Sequence, residues 1–198
     1  MVVAIEGFIL AGGNSRRMGT DKSRLILSDQ SFVERIAGEL GTVASSVKVV
    51  GNEATQQMNL QTVPDVYPQW GALGGLHAAL AACSASWALI VACDLPFVTS
   101  DLFARLASFH EDYEAVAPIQ KDRIPQPLCA LYRLDPCLSS AERLIKSGER
   151  KPIALLQSVR TRWVSFSELT DLEGADNFFD NINTPEDFAR VSRKGPEH

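Results

Sequence analysis

Four short apolar runs, residues 3–10, 47–50, 87–93 and 115–118, lack the alternation of a strand with one wet face, so they read as strands covered on both sides. Helical patterns fall between them. Ser31 and Glu34 have the S-x-x-E spacing of a capping box, in which each side chain satisfies the other's backbone N–H, and this predicts a helix over 31–40. A second helix is expected after the glycines at 74 and 75, and a third from about Thr99 to Phe109. Thr184-Pro185-Glu186-Asp187 reads as another helix start, with Thr at the N-cap and Pro at the first helical position. Strands alternating with helices imply an α/β fold with a mainly parallel sheet.

The most apolar stretch, residues 80–93, carries Ser84 and Ser86 and falls short of the ~20 residues a membrane helix needs. It reads as the end of a helix followed by a buried strand. From 120 to 170 the pattern is less regular, with a strand candidate at 128–132, a helix near 136–147 and a strand near 162–166. Such a region is expected to add antiparallel strands and a second ligand-facing wall. The chain has no internal repeat and no Gly/Ser-rich linker, and its polar tail, 194–198, is expected to fray.

Composition narrows the function classes. A chain of 198 residues, 45% apolar and 22% charged, suits one globular domain with its own core. Its 19 basic and 24 acidic residues give a net charge of -5, so neither nucleic acid nor an anionic membrane is an expected partner. Any anion must be held locally. Cys83, Cys93, Cys129 and Cys137 form no C-x-x-C pair and only three histidines accompany them, which argues against a structural zinc. The first residues lack the basic and apolar regions of a signal peptide, so a cytoplasmic chain with reduced thiols is expected.

A local anion site is present. Residues 10–22 read L-A-G-G-N-S-R-R-M-G-T-D-K directly after the first apolar run, and Arg16, Arg17, Lys22 and Arg24 stand against one acid, Asp21. Gly12 and Gly13 remove side chains where backbone must approach a ligand, and N–H groups with Arg and Lys can cradle phosphate oxygens. A solvated loop is the bland alternative, but a strand's carboxyl end is where open α/β sheets bind ligands. The spacing is neither a Walker P-loop nor G-x-G-x-x-G, which weakens kinase and dehydrogenase readings. Asp94 leaves the 87–93 strand beside Leu95-Pro96; it is a hard oxygen ligand for Mg²⁺ between phosphates, or else a turn cap.

Two further segments bear on a site. Asp65, followed by glycines at 71, 74 and 75, suggests a fixed acceptor on a tight passage into a helix, with Trp70 either stacking on a ligand ring or packing on the core. Asn181 and Asn183 precede the capped start at 184, where Asn183 is a ligand contact or a turn residue. His77 is read as a hydrogen-bonded structural histidine and Cys93 as a small apolar residue without a base to activate it.

Together, the 10–22 motif, C-D-L-P at 93–96 and N-I-N-T-P at 181–185 resemble the MobA-like nucleotidyltransferases of molybdenum cofactor biosynthesis, and within them the guanylyl branch, over about residues 5–190. The resemblance implies a Rossmann-like three-layer α/β/α fold in a single domain, its nucleotide-binding part at 1–110 and its acceptor side at 111–193. It implies nucleotide contacts at Leu10, Ala11, Gly12, Lys22, Asp65 and Asp94, with Asp94 as the Mg²⁺ ligand. Arg17, Lys22 and Asp94 would be catalytic, while Gly13, Asn181 and Asn183 would line the acceptor side. GTP and molybdopterin cofactor are the implied substrates, and other molybdenum cofactor biosynthesis proteins or molybdoenzyme chaperones the implied transient partners. A cytidylyltransferase, a sugar-phosphate transferase and an inactive nucleotide-binding protein are the alternatives. Gln69-Trp70-Gly71-Ala72 departs from the glycine-proline frame common in such proteins, which bears on loop rigidity and base contacts.

Overall fold

Strands form where the apolar runs fall. In the computed structural model, which describes residues 3–11, 26–27, 30–51, 60–182 and 187, these runs give β1 (Ile5–Leu10), β4 (Val47–Val50), β6 (Trp87–Ala92) and β7 (Ala115–Pro118). The short β2 (Ile26–Leu27) and β3 (Gln30–Ser31) pair antiparallel with each other. With β5 (Gln61–Val63), β8 (Cys129–Arg133) and β9 (Thr161–Val164), the remaining strands make a seven-stranded sheet of order β5-β4-β1-β6-β8-β7-β9. Only β8 runs against its neighbours, β6 and β7. The less regular segment after residue 120 therefore does supply the antiparallel strand.

Five helices, α1 (Phe32–Leu40), α2 (Gly71–Ala81), α3 (Ser100–Ser108), α4 (Leu134–Lys146) and α5 (Ile153–Ser158), cover the sheet among the described residues. Successive strand residues point to opposite faces. Trp87, Leu89 and Val91 of β6 accordingly pack with Val33, Ile36 and Leu40 of α1 and Leu102, Phe103 and Leu106 of α3. Ala88 and Ile90 face Leu73, Leu76 and Leu80 of α2, Cys137 and Ala141 of α4, and Leu155 of α5. This is the three-layer α/β/α arrangement, and it explains why β6 shows no polar alternation. Each fully buried side chain of this kind contributes about 1.5–3 kcal/mol.

The helix starts follow their caps. Ser31 and Glu34 form the complete capping box, with Glu34 N donating to Ser31 Oγ at 3.2 Å and Ser31 N donating to Glu34 Oε2 at 2.8 Å. Thr99 Oγ1 accepts from Leu102 N at 3.4 Å and starts α3. α2 differs from expectation, because it begins at Gly71 and takes Gly74 and Gly75 into its first turns. The reason is tertiary. A Cβ on Gly74 would stand 2.5 Å from the Tyr67 carbonyl oxygen, so only glycine lets the preceding loop lie on the helix. The start anticipated at 184 and the tail at 194–198 lie outside the described residues.

The two edges of the sheet differ in chemistry. Toward the amino end of β1, Lys48 Nζ donates to Glu6 Oε2 at 3.1 Å and to the Ala82 carbonyl at 3.0 Å, while Ser84 N donates to the same carboxylate. These partners satisfy one another and tie β1 and β4 to the end of α2. At the carboxyl edge the strand order reverses, since β4 and β5 lie on one side of β1 and β6 on the other. Leu10 is in register with Val50 and with Ala92 there. A reversal of this kind opens a crevice at the strand ends, the ordinary ligand position in open α/β sheets.

Candidate active site

Three of the sequence segments meet at this crevice. Cys93 N donates to the Leu10 carbonyl at 3.1 Å and Ala11 N to the Val50 carbonyl at 2.9 Å, which fixes the end of β1 between its neighbours. Leu10 is buried against the first turns of α2, where a Cβ on Gly75 would lie 3.7 Å from its Cδ1. Any contact it makes with a ligand is therefore through its backbone. Asp94, half-buried, stands on the turn after β6, where Leu95 N donates to the Ala92 carbonyl at 3.3 Å. Ile182 N donates to the Asp94 carbonyl at 3.1 Å, so the exposed Asn181 is brought beside the residue that the sequence singles out as a ligand. The structure thus joins Leu10, Ala11, Asp94 and Asn181. Gly12, Gly13, Arg17, Lys22 and Asn183 lie outside the described residues.

Asp65 forms a second wall. Its Oδ1 accepts from Tyr67 N at 2.9 Å, the local turn that Asp side chains favour. The same oxygen would stand 3.4 Å from a Cβ on Gly74, and the adjacent Gly75 packs on Leu10. α2 thereby separates Asp65 from the end of β1 by one helix surface. Trp70 packs within the protein, with the Arg150 guanidinium 5.0 Å over its ring and Arg150 Nη1 donating to the Gln69 carbonyl at 3.3 Å. Arg150 is a tether that no local sequence signal announces.

His77 departs from its sequence reading. It is buried as expected, but neither ring nitrogen has a hydrogen-bond partner; its Nε2 is 3.9 Å from Glu142 Oε1, and Tyr67 meets the ring edge-on at 5.0 Å. Burial holds its pKa below the ordinary value, against the opposing pull of Glu142 and Asp65. Trp70 Nε1 is likewise buried without a partner. Burial pushes the Cys83 thiol up to about 11 and those of Cys129 and Cys137 to about 12, so these three are inert at neutral pH.

The donor set bears on a metal. Among the described residues no group of three or more His, Cys, Asp or Glu is placed to cage an ion. Mg²⁺ does not require one, because it keeps waters and takes one or two carboxylates together with substrate phosphates. Asp94, a hard carboxylate at the crevice, fits that requirement.

The chain is similar to known proteins over most of its length. The MobA-like NTP transferase domain matches residues 7–162. A chain of Pelotomaculum thermopropionicum called "Probable molybdenum cofactor guanylyltransferase" is 34% identical over 187 residues, covering 93% of this chain and 90% of that one. The "Molybdenum cofactor guanylyltransferase" of Vibrio cholerae is 30% identical over 194 residues, covering 95% and 91%. In three dimensions, molybdopterin-guanine dinucleotide biosynthesis protein A of Archaeoglobus fulgidus superposes with a TM-score of 0.80 at 24% identity, covering 96% of this chain and 97% of that one. A fold built on β1, β6 and their crevice, and a family match that spans both, agree: the chain belongs to the MobA-like NTP transferase family.

Proposed function

We propose that the chain transfers GMP from GTP to the terminal phosphate of molybdopterin cofactor, giving molybdopterin guanine dinucleotide and pyrophosphate. The observation that carries this is the meeting of Asp94 with the Asn181–Ile182 segment at the β1/β6 crevice, in a chain whose relatives bear the guanylyltransferase name over nine-tenths of their length. Asp94, which this reading puts on the nucleotide side, and Asn181, which it puts on the acceptor side, are brought together by the hydrogen bond from Ile182 N to the Asp94 carbonyl.

The chemistry needs little more than positioning and charge neutralisation. An oxygen of the acceptor's terminal phosphate attacks the α-phosphorus of GTP in line, the bond from that phosphorus to the bridging oxygen breaks, and pyrophosphate leaves. The attacking oxygen is already anionic, so no general base is required. Leu10 and Ala11 would offer backbone to the nucleotide, and Asp65 would offer a fixed carboxylate beside the first turn of α2. Asp94 would hold Mg²⁺, which supplies charge neutralisation between phosphate oxygens when bound. Lys22 and Arg17, on the segment after Ala11, would stabilise the α-phosphate and the departing pyrophosphate. On this reading Gly12 would contact the nucleotide, and Gly13, Asn181 and Asn183 would orient the acceptor.

Among the described residues no helix is long and apolar enough to cross a membrane. The buried Cys83, Cys129 and Cys137 are not in disulfides, which supports a cytoplasmic site of action. Pyrophosphate release measured with GTP, Mg²⁺ and molybdopterin cofactor tests the reaction. Release that depends on all three supports it, and release without the pterin, or with a sugar phosphate in its place, contradicts it.

A further inference from the structure

Asp94 sits on a turn tied to β1 through Cys93 N and to Ile182 through its own carbonyl, and ligand placement demands that such a carboxylate be held to ~0.5 Å. The structure supplies an external brace. Arg35 Nε donates to the carbonyl of the buried Pro96 at 2.8 Å, two residues beyond Asp94 and across a sequence separation of 61. Glu39, one helical turn later on α1, accepts from Ser100 N through Oε2 at 2.7 Å. Residues four apart share a helix face, so one face of α1 grips the 96–100 segment at both ends. The grip has a firm base, since Val33, Ile36 and Leu40 on the neighbouring face of α1 are fully buried in the core.

We infer that Arg35 is a positioning residue for Asp94, acting through the Pro96 carbonyl. Without that bond the carbonyl of a buried proline loses its charged donor, and the turn has to shift to find another partner. Asp94 shifts with it. Arg35 touches neither nucleotide nor metal in this role; the part of GTP binding that it supports is the part contributed by the metal ion. The inference rests on the reading of Asp94 as metal ligand.

Calorimetry on the full chain separates these roles. GTP is titrated without acceptor, once in Mg²⁺ and once in EDTA, and the ratio of the two affinities is the metal's contribution. Arg35→Met is expected to lower that ratio by about 10-fold, the scale of losing an outer partner of a metal ligand, while leaving the EDTA affinity and the circular dichroism spectrum unchanged. Arg35→Lys, whose ammonium can reach the same carbonyl, is expected to restore most of the ratio. Should Arg35→Met fail to fold, Arg35→Gln, with its shorter donor, serves in its place. An unchanged ratio in a folded variant overturns the inference, as does a fall in the EDTA affinity, which would put Arg35 on the nucleotide itself. A ratio near one in the wild type, matched by Asp94→Asn, overturns the metal reading first and this inference with it.

Discussion

The two walls of the crevice are built differently. The Asp94 turn is held by hydrogen bonds to four separate parts of the chain: the end of β1, the end of β6, the Asn181–Ile182 segment and α1. The Asp65 loop is held mostly by itself, through Tyr67 N to Asp65, Trp70 N to the Tyr67 carbonyl and the contact with Gly74. Among the described residues Arg150 tethers it from a distant segment, and His77 meets the Tyr67 ring. Beneath it lie the unpartnered nitrogens of His77 and Trp70, each a cost of roughly 1–3 kcal/mol where full desolvation is left uncompensated. The Asp94 wall, which the proposed function assigns to phosphate charge, is tied to distant segments at several points. The Asp65 wall, which the proposed function assigns to the base side, rests mainly on local contacts.

The comparison is broken most severely at Asp94. Asp94→Asn is expected to keep the fold and lower turnover by at least about 100-fold, the scale of losing a principal electrostatic stabiliser; near-normal pyrophosphate release by the folded variant would remove Asp94 from the chemistry. The base-side wall should fail in another way. Gly74→Ala places a Cβ 2.5 Å from the Tyr67 carbonyl oxygen, so it is expected to cost about 1–3 kcal/mol in stability and to raise KM for GTP with kcat held. Steady-state kinetics beside thermal melts would show this, and an equal loss in kcat would mean that the two walls are not separable.

His77 carries the smallest effect and the sharpest signature. Its native pKa lies below the ordinary 6.5, so the unfolded chain binds this proton more tightly and stability rises with pH. The stabilisation is present above about 6.5 and is lost as pH falls from there toward the lowered native value. His77→Leu should remove that part of the acid slope and be neutral to about 1 kcal/mol stabilising at pH 8, since two buried unpaired nitrogens disappear. Denaturant melts across pH 5 to 8 check both; an unaltered slope would assign the acid sensitivity to another group.

Much of the fold is legible where the signal is local. The strands at Val47–Val50 and Ala115–Pro118 end where their apolar runs end, and the helices at Phe32–Leu40 and Ser100–Ser108 start at their caps. The three residues of β5 and the six of α5 are too short to raise a periodic signal. The start of α2 misleads because Gly74 looks like a breaker, while its real constraint is the Tyr67 carbonyl lying against it. In the site, Asp94 and Asn181 stand out in the sequence and the backbone bond from Ile182 joins them. Arg35 does not stand out, because a bond spanning 61 residues leaves no trace in the spacing of either partner. The unpaired state of His77 is equally a property of packing between α2, the Tyr67 ring and Glu142.

Competition between Mg·GTP and Mg·CTP at fixed molybdopterin cofactor tests guanylyl transfer most directly. Guanine presents a 6-oxo acceptor and a 2-amino donor, and a site built to pair them leaves polar groups unpaired with the wrong base, at roughly 1–3 kcal/mol each. A kcat/KM for GTP about tenfold or more above that for CTP is the expected result. Equal or better use of CTP, with Asp94 and Lys22 intact, would contradict guanylyl transfer and make the chain a cytidylyltransferase on the same crevice.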